Sequence, residues 1–369
     1  MRSKKGFFIA TLGLFVSVAV VTGYIMRGQA SIVVSSFKLV NKGAISLKLG
    51  AIDPGELRKL TVDHQGNVYS SYDTRFLKFN SSGSLVSDTD IGLYNLKYLV
   101  DWCLDESGSV FLIGHSNALS PTDPATNVVK LNHQGKLLHS INVRGIAPET
   151  IAIGLRGEVM VGGTHRPNAN ATIDDARAGK VFLKRALYKI DDNGNELGSL
   201  NETTYNAIDH PKKTPKLYSA NLGRQLVVLE SNMQGISLRV VSLSGNDDGP
   251  RKLDLPVTST ASIDAMLKEM RDVESEQYLD QIFPLGENKI LLTRGTGFRG
   301  SMENGDRHSI SAYEAFVVFL DERVVSKISQ GLTGVVKDVG RDGYIYLSSI
   351  KFESGVRKDL QLTKAVIEW

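Results

Sequence analysis

A single cysteine, Cys103, stands in 369 residues, which excludes an internal disulfide and any zinc site built from several thiolates. Aromatic residues are scarce at 7%, and ten prolines against 35 glycines point to many tight turns rather than long helices. No sign of charge dominates the body. Of 43 bases and 40 acids, residues 1–30 hold Arg2, Lys4, Lys5 and Arg27 and no acid, leaving 39 bases against 40 acids beyond. A body of charge −1 has no bulk attraction for polyanions, so nucleic acid is not an expected partner. The 41% hydrophobic and 22% charged fractions are those of a globular protein, not of a disordered chain.

One long uncharged run is present, from Phe7 to Met26, and three basic residues precede it. It predicts an N-terminal apolar helix, so residues 1–30 are expected to be a signal peptide or a membrane anchor. Twenty residues at about 1.5 Å each match a hydrocarbon core of ~30 Å. Gly28-Gln29-Ala30 offers the small residues that a signal peptidase needs. Either way residues 31–369 are expected outside the cytoplasm, tethered by one helix or secreted after cleavage near Ala30.

Beyond that segment a pattern repeats. Asp63-His64-Gln65-Gly66-Asn67-Val68-Tyr69 recurs as Asp105-Glu106-Ser107-Gly108-Ser109-Val110-Phe111. It returns as Asp342-Gly343-Tyr344-Ile345-Tyr346 and, worn, around Gly154 to Met160, with looser copies ending at Val227 and Leu291. A second signature follows: Lys78-Phe79-Asn80-Ser81-Ser82-Gly83, then Lys130 to Gly135, then Lys189 to Gly194. Each copy reads as a strand, a glycine turn and a returning strand. Six units of four antiparallel strands, A to D, predict an all-β chain folded as a six-bladed β-propeller. The last unit lacks its fourth strand and residues 44–49 form a surplus one. That strand is expected to complete the last blade, making residues 31–369 one closed domain.

Thr61 to Tyr69 followed by Phe76 to Gly83 resembles the NHL-type repeat of six-bladed propellers, most closely in the first unit. That repeat carries an Asp at the end of strand B, where this chain has Tyr72, with Asp73 beside it. The resemblance implies fold alone, because propellers of this kind include scaffolds, sensors and unrelated enzymes. Six-bladed sugar-lactone hydrolases hold a divalent cation at the channel mouth. Near the starts of the A strands this chain has Glu56, Asp101, Glu149 and Asp280 as candidate ligands, with Arg58, Lys59 and Lys216 in comparable places. Mixed charge of this kind reads more plainly as internal ion pairing.

Other motifs are weaker. Gly295-Thr296-Gly297-Phe298-Arg299-Gly300 matches a dinucleotide fingerprint, but no helix pattern follows it, so a polar loop over 293–313 is expected instead. His115 and His165 each follow a B strand. Ser262 to Glu276 predicts an amphipathic helix, with Ile263, Met266, Leu267, Met270 and Val273 on one stripe. All the long connections, 114–126, 162–180, 200–216, 256–276 and 293–313, fall at one end of the propeller. That end is expected to bind a small molecule or a protein partner, through His115, Asn117, His165, Arg166, Arg294 and Arg299. Two functions compete: a non-catalytic binding scaffold or sensor, and a metal-dependent hydrolase or lyase at the channel mouth. No cofactor is expected on the first reading and a divalent cation on the second; no catalytic residue is assigned.

Overall fold

The computed structural model describes residues 32–49, 57–116, 125–154, 157–165, 182–206, 216–222, 225–232, 235–242, 249–256, 263–302, 306–322, 324–330, 335–353 and 356–368. The expected apolar helix of residues 1–30 lies outside these. Among the described residues no helix is long and apolar enough to cross a membrane.

The chain is all-β and propeller-like. It opens with β1 (Ile32–Lys48). Four antiparallel sheets of four strands follow in chain order. They are β2 to β5 (Lys59–Val62, Val68–Ser71, Arg75–Phe79, Leu85–Asp90) and β6 to β9 (Leu96–Leu104, Val110–Ser116, Ala125–Leu131, Leu137–Arg144). Next come β10 to β13 (Ile146–Ile153, Val159–His165, Phe182–Ile190, Glu196–Asn206) and β14 to β17 (Lys216–Leu222, Gln225–Asn232, Gly235–Ser242, Arg251–Leu253). The remaining strands are β18 to β21 (Arg271–Pro284, Lys289–Ser301, Arg307–Phe319, Val324–Gln330) and β22 to β24 (Val335–Val339, Ile345–Glu353, Val356–Glu368).

In place of two more separate blades, these strands form one eight-stranded sheet, β18-β19-β20-β21-β1-β24-β23-β22. The cause is the length of β1. Its second half pairs antiparallel with β24, from Lys38↔Glu368 to Lys48↔Asp359. Its first half finds a second edge and runs parallel to β21, from Ile32↔Val324 to Lys38↔Gln330. The sheet folds back on itself, so that Phe283, Leu291 and Val317 pack against Val336, Ile345 and Leu347.

The repeated signatures are hairpin caps. Asp63 accepts the backbone N–H groups of Gln65 and Asn67, each at 2.9 Å. Asp105, Asn80, Asn132 and Asp191 make the same paired bonds to residues two and four further on. This is the Asx-turn that a short polar side chain offers the backbone. The glycine of the second signature does more. A Cβ on Gly194 would overlap the Asn142 carbonyl of β9, and one on Gly135 would crowd Ser87 and Thr89 of β5. Gly83 meets Ser46 of β1 in the same way, and Lys48 N–H donates to the Gly83 carbonyl at 3.0 Å.

The expected helix is mostly absent. Only Asp264–Glu269 (α1) is helical, and from Arg271 the chain is already β18, paired with β19 from Arg271↔Ser301 onward. Asp272, at φ 52°, takes the left-handed backbone that a helix cannot continue through. A one-turn helix has little stability of its own, so strand pairing wins. Val273 is accordingly exposed rather than part of a buried stripe.

Between β22 and β2 lies a buried carboxyl. Asp338 accepts the Val62 N–H at 2.6 Å and is pushed up to about 7, chiefly by burial. A folded pKa above the unfolded value near 4 means that the native state holds the proton between those limits. The resulting stabilisation is complete at acid pH and is lost as pH rises towards 7. Wild type should therefore lose stability relative to Asp338→Asn between about pH 4 and 7, by an amount on the order of 3–4 kcal/mol. Urea unfolding at several pH values measures this, and parallel curves for the two proteins would refute it.

Candidate functional site

The inner strands converge at the end from which the long connections leave. There the start of β2 and β14, the middle of β6 and β10 and the closing half of β18 line an open cavity of about 170 Å³. Lys59 from β2 reaches Asp101 on β6 (Nζ–Oδ1 2.7 Å) and the Trp102 carbonyl at 2.7 Å. Asp101 also accepts the Thr150 hydroxyl at 2.9 Å and the Ile151 N–H at 3.0 Å on β10. Thr150 bonds Ser219 on β14 at 2.9 Å, and the Tyr218 hydroxyl donates to the Leu279 carbonyl on β18 at 2.6 Å. Adjacent inner strands are thus bonded through the side chains that line the cavity. One group is left over: the side-chain oxygen of Gln281 is buried there with no donor.

Three of the four candidate metal ligands, Asp101, Glu149 and Asp280, do line this cavity; Glu56 lies outside the described residues. Glu149 is held by Arg185 (Nη2–Oε2 2.5 Å), the Leu217 N–H at 2.9 Å and the Thr164 hydroxyl at 3.2 Å. Asp280 accepts from Thr293 at 3.4 Å. Lys59 and Arg185 sit where a cation would need open carboxylate oxygens. Among the described residues no three His, Cys, Asp or Glu side chains come together to hold a metal. Arg185 was the residue sequence reasoning missed; it is fully buried on β12, and no local motif marks it.

The other candidates separate. Asn117 and Arg166 lie outside the described residues. His115, next to last in β7, and His165, last in β11, lie at the same end of neighbouring sheets, but each has its own aromatic neighbour. Tyr98 lies 4.8 Å from His115 and Tyr188 lies 5.8 Å from His165, centroid to centroid. Burial, followed by the charge of Lys97, holds the His115 imidazole below its usual range. His165 borders a second, outer hollow with Asn142 and Asn193. Arg294 corrects the expectation most clearly. It is 5% exposed and bonded to Glu314 (Nη2–Oε2 2.6 Å) and to the Pro256 carbonyl at 2.6 Å, so it clamps the segment before α1 rather than facing a ligand.

The polar loop expected over 293–313 is instead most of a three-stranded arm. β18, β19 and β20 stay paired from Tyr278↔Gly295 out to Arg271↔Ser301, and from Gly295↔Tyr313 out to Ser301↔Arg307. The alternation of exposed Ser309, Ser311 and Tyr313 with the more buried Ile310, Ala312 and Glu314 was the strand signal. On the exposed face Arg299 is free of the core, and Tyr278 lies across Gly295 where a Cβ would otherwise stand. Its hydroxyl reaches that of Tyr313 at 3.5 Å. That bond, with burial and the nearby charge of Asp280, pushes Tyr313 up to about 12.

No protein-family model matches the chain, and no curated protein matches it. Solved structures are similar in shape. A protein of unknown function from Bacteroides caccae shares 11% identity over 80% of this chain and 99% of its own, at a TM-score of 0.42. A Bacteroides fragilis protein taken to be exported shares 11% over 92% and 100%, at 0.48. The Neurospora crassa Pan2 WD40 domain shares 10% over 91% and 97%, at 0.42. At TM-scores below 0.5 these likenesses assign this chain neither a family nor an activity.

Proposed function

We propose that this chain is an exported, non-catalytic six-bladed propeller that binds a ligand at its long-connection end, in the axial cavity. The observation that carries the reading is the cavity itself: five inner strands direct charged and hydroxyl side chains into one space at that end. The blade count is supported by Gly83, which meets β1 as Gly135 and Gly194 meet the outer strands of the preceding blades. It is also supported by the packing of the two halves of the eight-stranded sheet face to face. Export is supported by Arg2, Lys4 and Lys5 ahead of the apolar run. A small-molecule library screened by thermal shift on the full chain and on Ser219→Phe, which fills the cavity, tests the reading. Compounds at about 100-fold over their Kd should stabilise wild type by roughly 2.7 kcal/mol and leave the variant unmoved. Equal shifts in both proteins would place binding elsewhere.

A further inference from the structure

Resting on that reading, we infer that the axial cavity and the tyrosine face of the arm form one two-part site for a neutral saccharide. One sugar ring sits in the cavity and the next lies on Tyr278 and Tyr313.

Size comes first. A cavity of about 170 Å³ that opens to solvent has room for one sugar ring, with any continuing chain lying outside it. Charge comes second. Lys59 is engaged by Asp101, Arg58 by Asp73 at 2.7 Å, Glu149 by Arg185, and Asp280 accepts from Thr293, so the charges of the walls are already engaged. A charged ligand would have to compete with one of these contacts, whereas a neutral one leaves them intact. Hydrogen bonding comes third. The hydroxyls of Ser71, Thr150, Tyr218 and Ser219 can each accept as well as donate, and the buried Gln281 oxygen requires a donor. A polyol supplies many groups that do both. Leu99, Ile282 and Phe283 supply apolar wall for the C–H faces of a ring.

The arm adds the second part. β18 carries Gln281 and Asp280 in the cavity and Tyr278 just beyond it, with Tyr313 across Gly295 at 40% exposure. On the middle strand Gly295 lies beneath Tyr278, while Gly297 is open, and a Cβ there would meet nothing closer than 4.0 Å. Glycine in a strand interior marks close approach by a ligand or another backbone. Phenol rings spread over such a floor present a flat, half-polar surface, the kind on which a sugar ring stacks.

Saturation-transfer NMR and calorimetry on the full chain test this. The probes are glucose, mannose, galactose and N-acetylglucosamine with their linear tetrasaccharides, and citrate and spermidine as charged controls. At least one sugar series should bind, the tetrasaccharide about tenfold more tightly than its monosaccharide because of the added stacking contact. Tyr313→Ala should erase that length dependence and spare monosaccharide binding. Gln281→Leu, which removes a buried orphan acceptor and should fold normally, should weaken both about tenfold. No binding by any sugar, or length dependence that survives Tyr313→Ala, overturns the inference. Citrate or spermidine binding that Ser219→Phe abolishes overturns the saccharide class but leaves the axial site standing. If Ser219→Phe affects no probe that binds, both readings fall.

Discussion

Glu149→Ala should cost the protein about 3–5 kcal/mol, a large part of the roughly 5–15 kcal/mol by which a typical domain is stable. Arg185 is fully buried and donates to Glu149 at 3.2 and 2.5 Å, while Glu149 also accepts the Leu217 N–H. Truncating the carboxylate leaves a guanidinium charge in a desolvated site and an amide without its acceptor. Asp280→Asn, which keeps an acceptor for Thr293, should change stability by less than about 1 kcal/mol. Urea midpoints for the two variants give the comparison. A cation-binding Glu149 would behave oppositely, because removing one of several clustered carboxylates relieves repulsion in the metal-free protein. A loss below 1 kcal/mol for Glu149→Ala would therefore return the carboxylates to the metal reading.

Removing β1 should have the largest effect of all. Deleting residues 1–31 should leave a protein that unfolds cooperatively, whereas deleting 1–49 should abolish monomeric folding. The longer deletion takes away Leu39, Ile45, Leu47 and Leu49, all nearly buried. At about 1.5–3 kcal/mol each, that loss alone rivals the whole stability of a typical domain. It also bares the edges of β24 and β21 and leaves Gly83 facing no strand. Unpaired edges invite association, so the product should elute as aggregate. Size-exclusion chromatography and calorimetry of the two truncations decide the matter. Similar melting of both would mean that β1 is an ornament of the sheet, not part of its closure.

Local sequence sufficed for the turns. Asp63, Asp105 and Asn80 cap turns through bonds to residues two and four away, so the hairpins and the all-β class were legible from short motifs. The gathering of Asp101, Glu149 and Asp280 followed from their shared place on the inner strands. Three things were not legible. The Ser262–Glu276 stripe suited a helix, but pairing of Arg271 and its successors with β19 turned its last part into strand. The segment 293–313 looked like loop because glycines and polar residues dominate it, yet β18 and β20 hold it extended on both sides. Arg294, expected to meet a ligand, is buried against Glu314.

The hairpins, their order and the turns that join them were set locally, because each depends on hydrogen bonds spanning four or five residues. Tertiary structure alone decided which charges became neighbours. Glu149 finds Arg185 across 36 positions, Lys59 finds Asp101 across 42, and β1 finds β24 from the opposite end of the chain. The physical reason is that a buried charge is tolerated only beside its partner, and partners brought in by separate strands share no local pattern. The axial cavity is made of such meetings, so its residue types could be anticipated while the bonds that engage them could not.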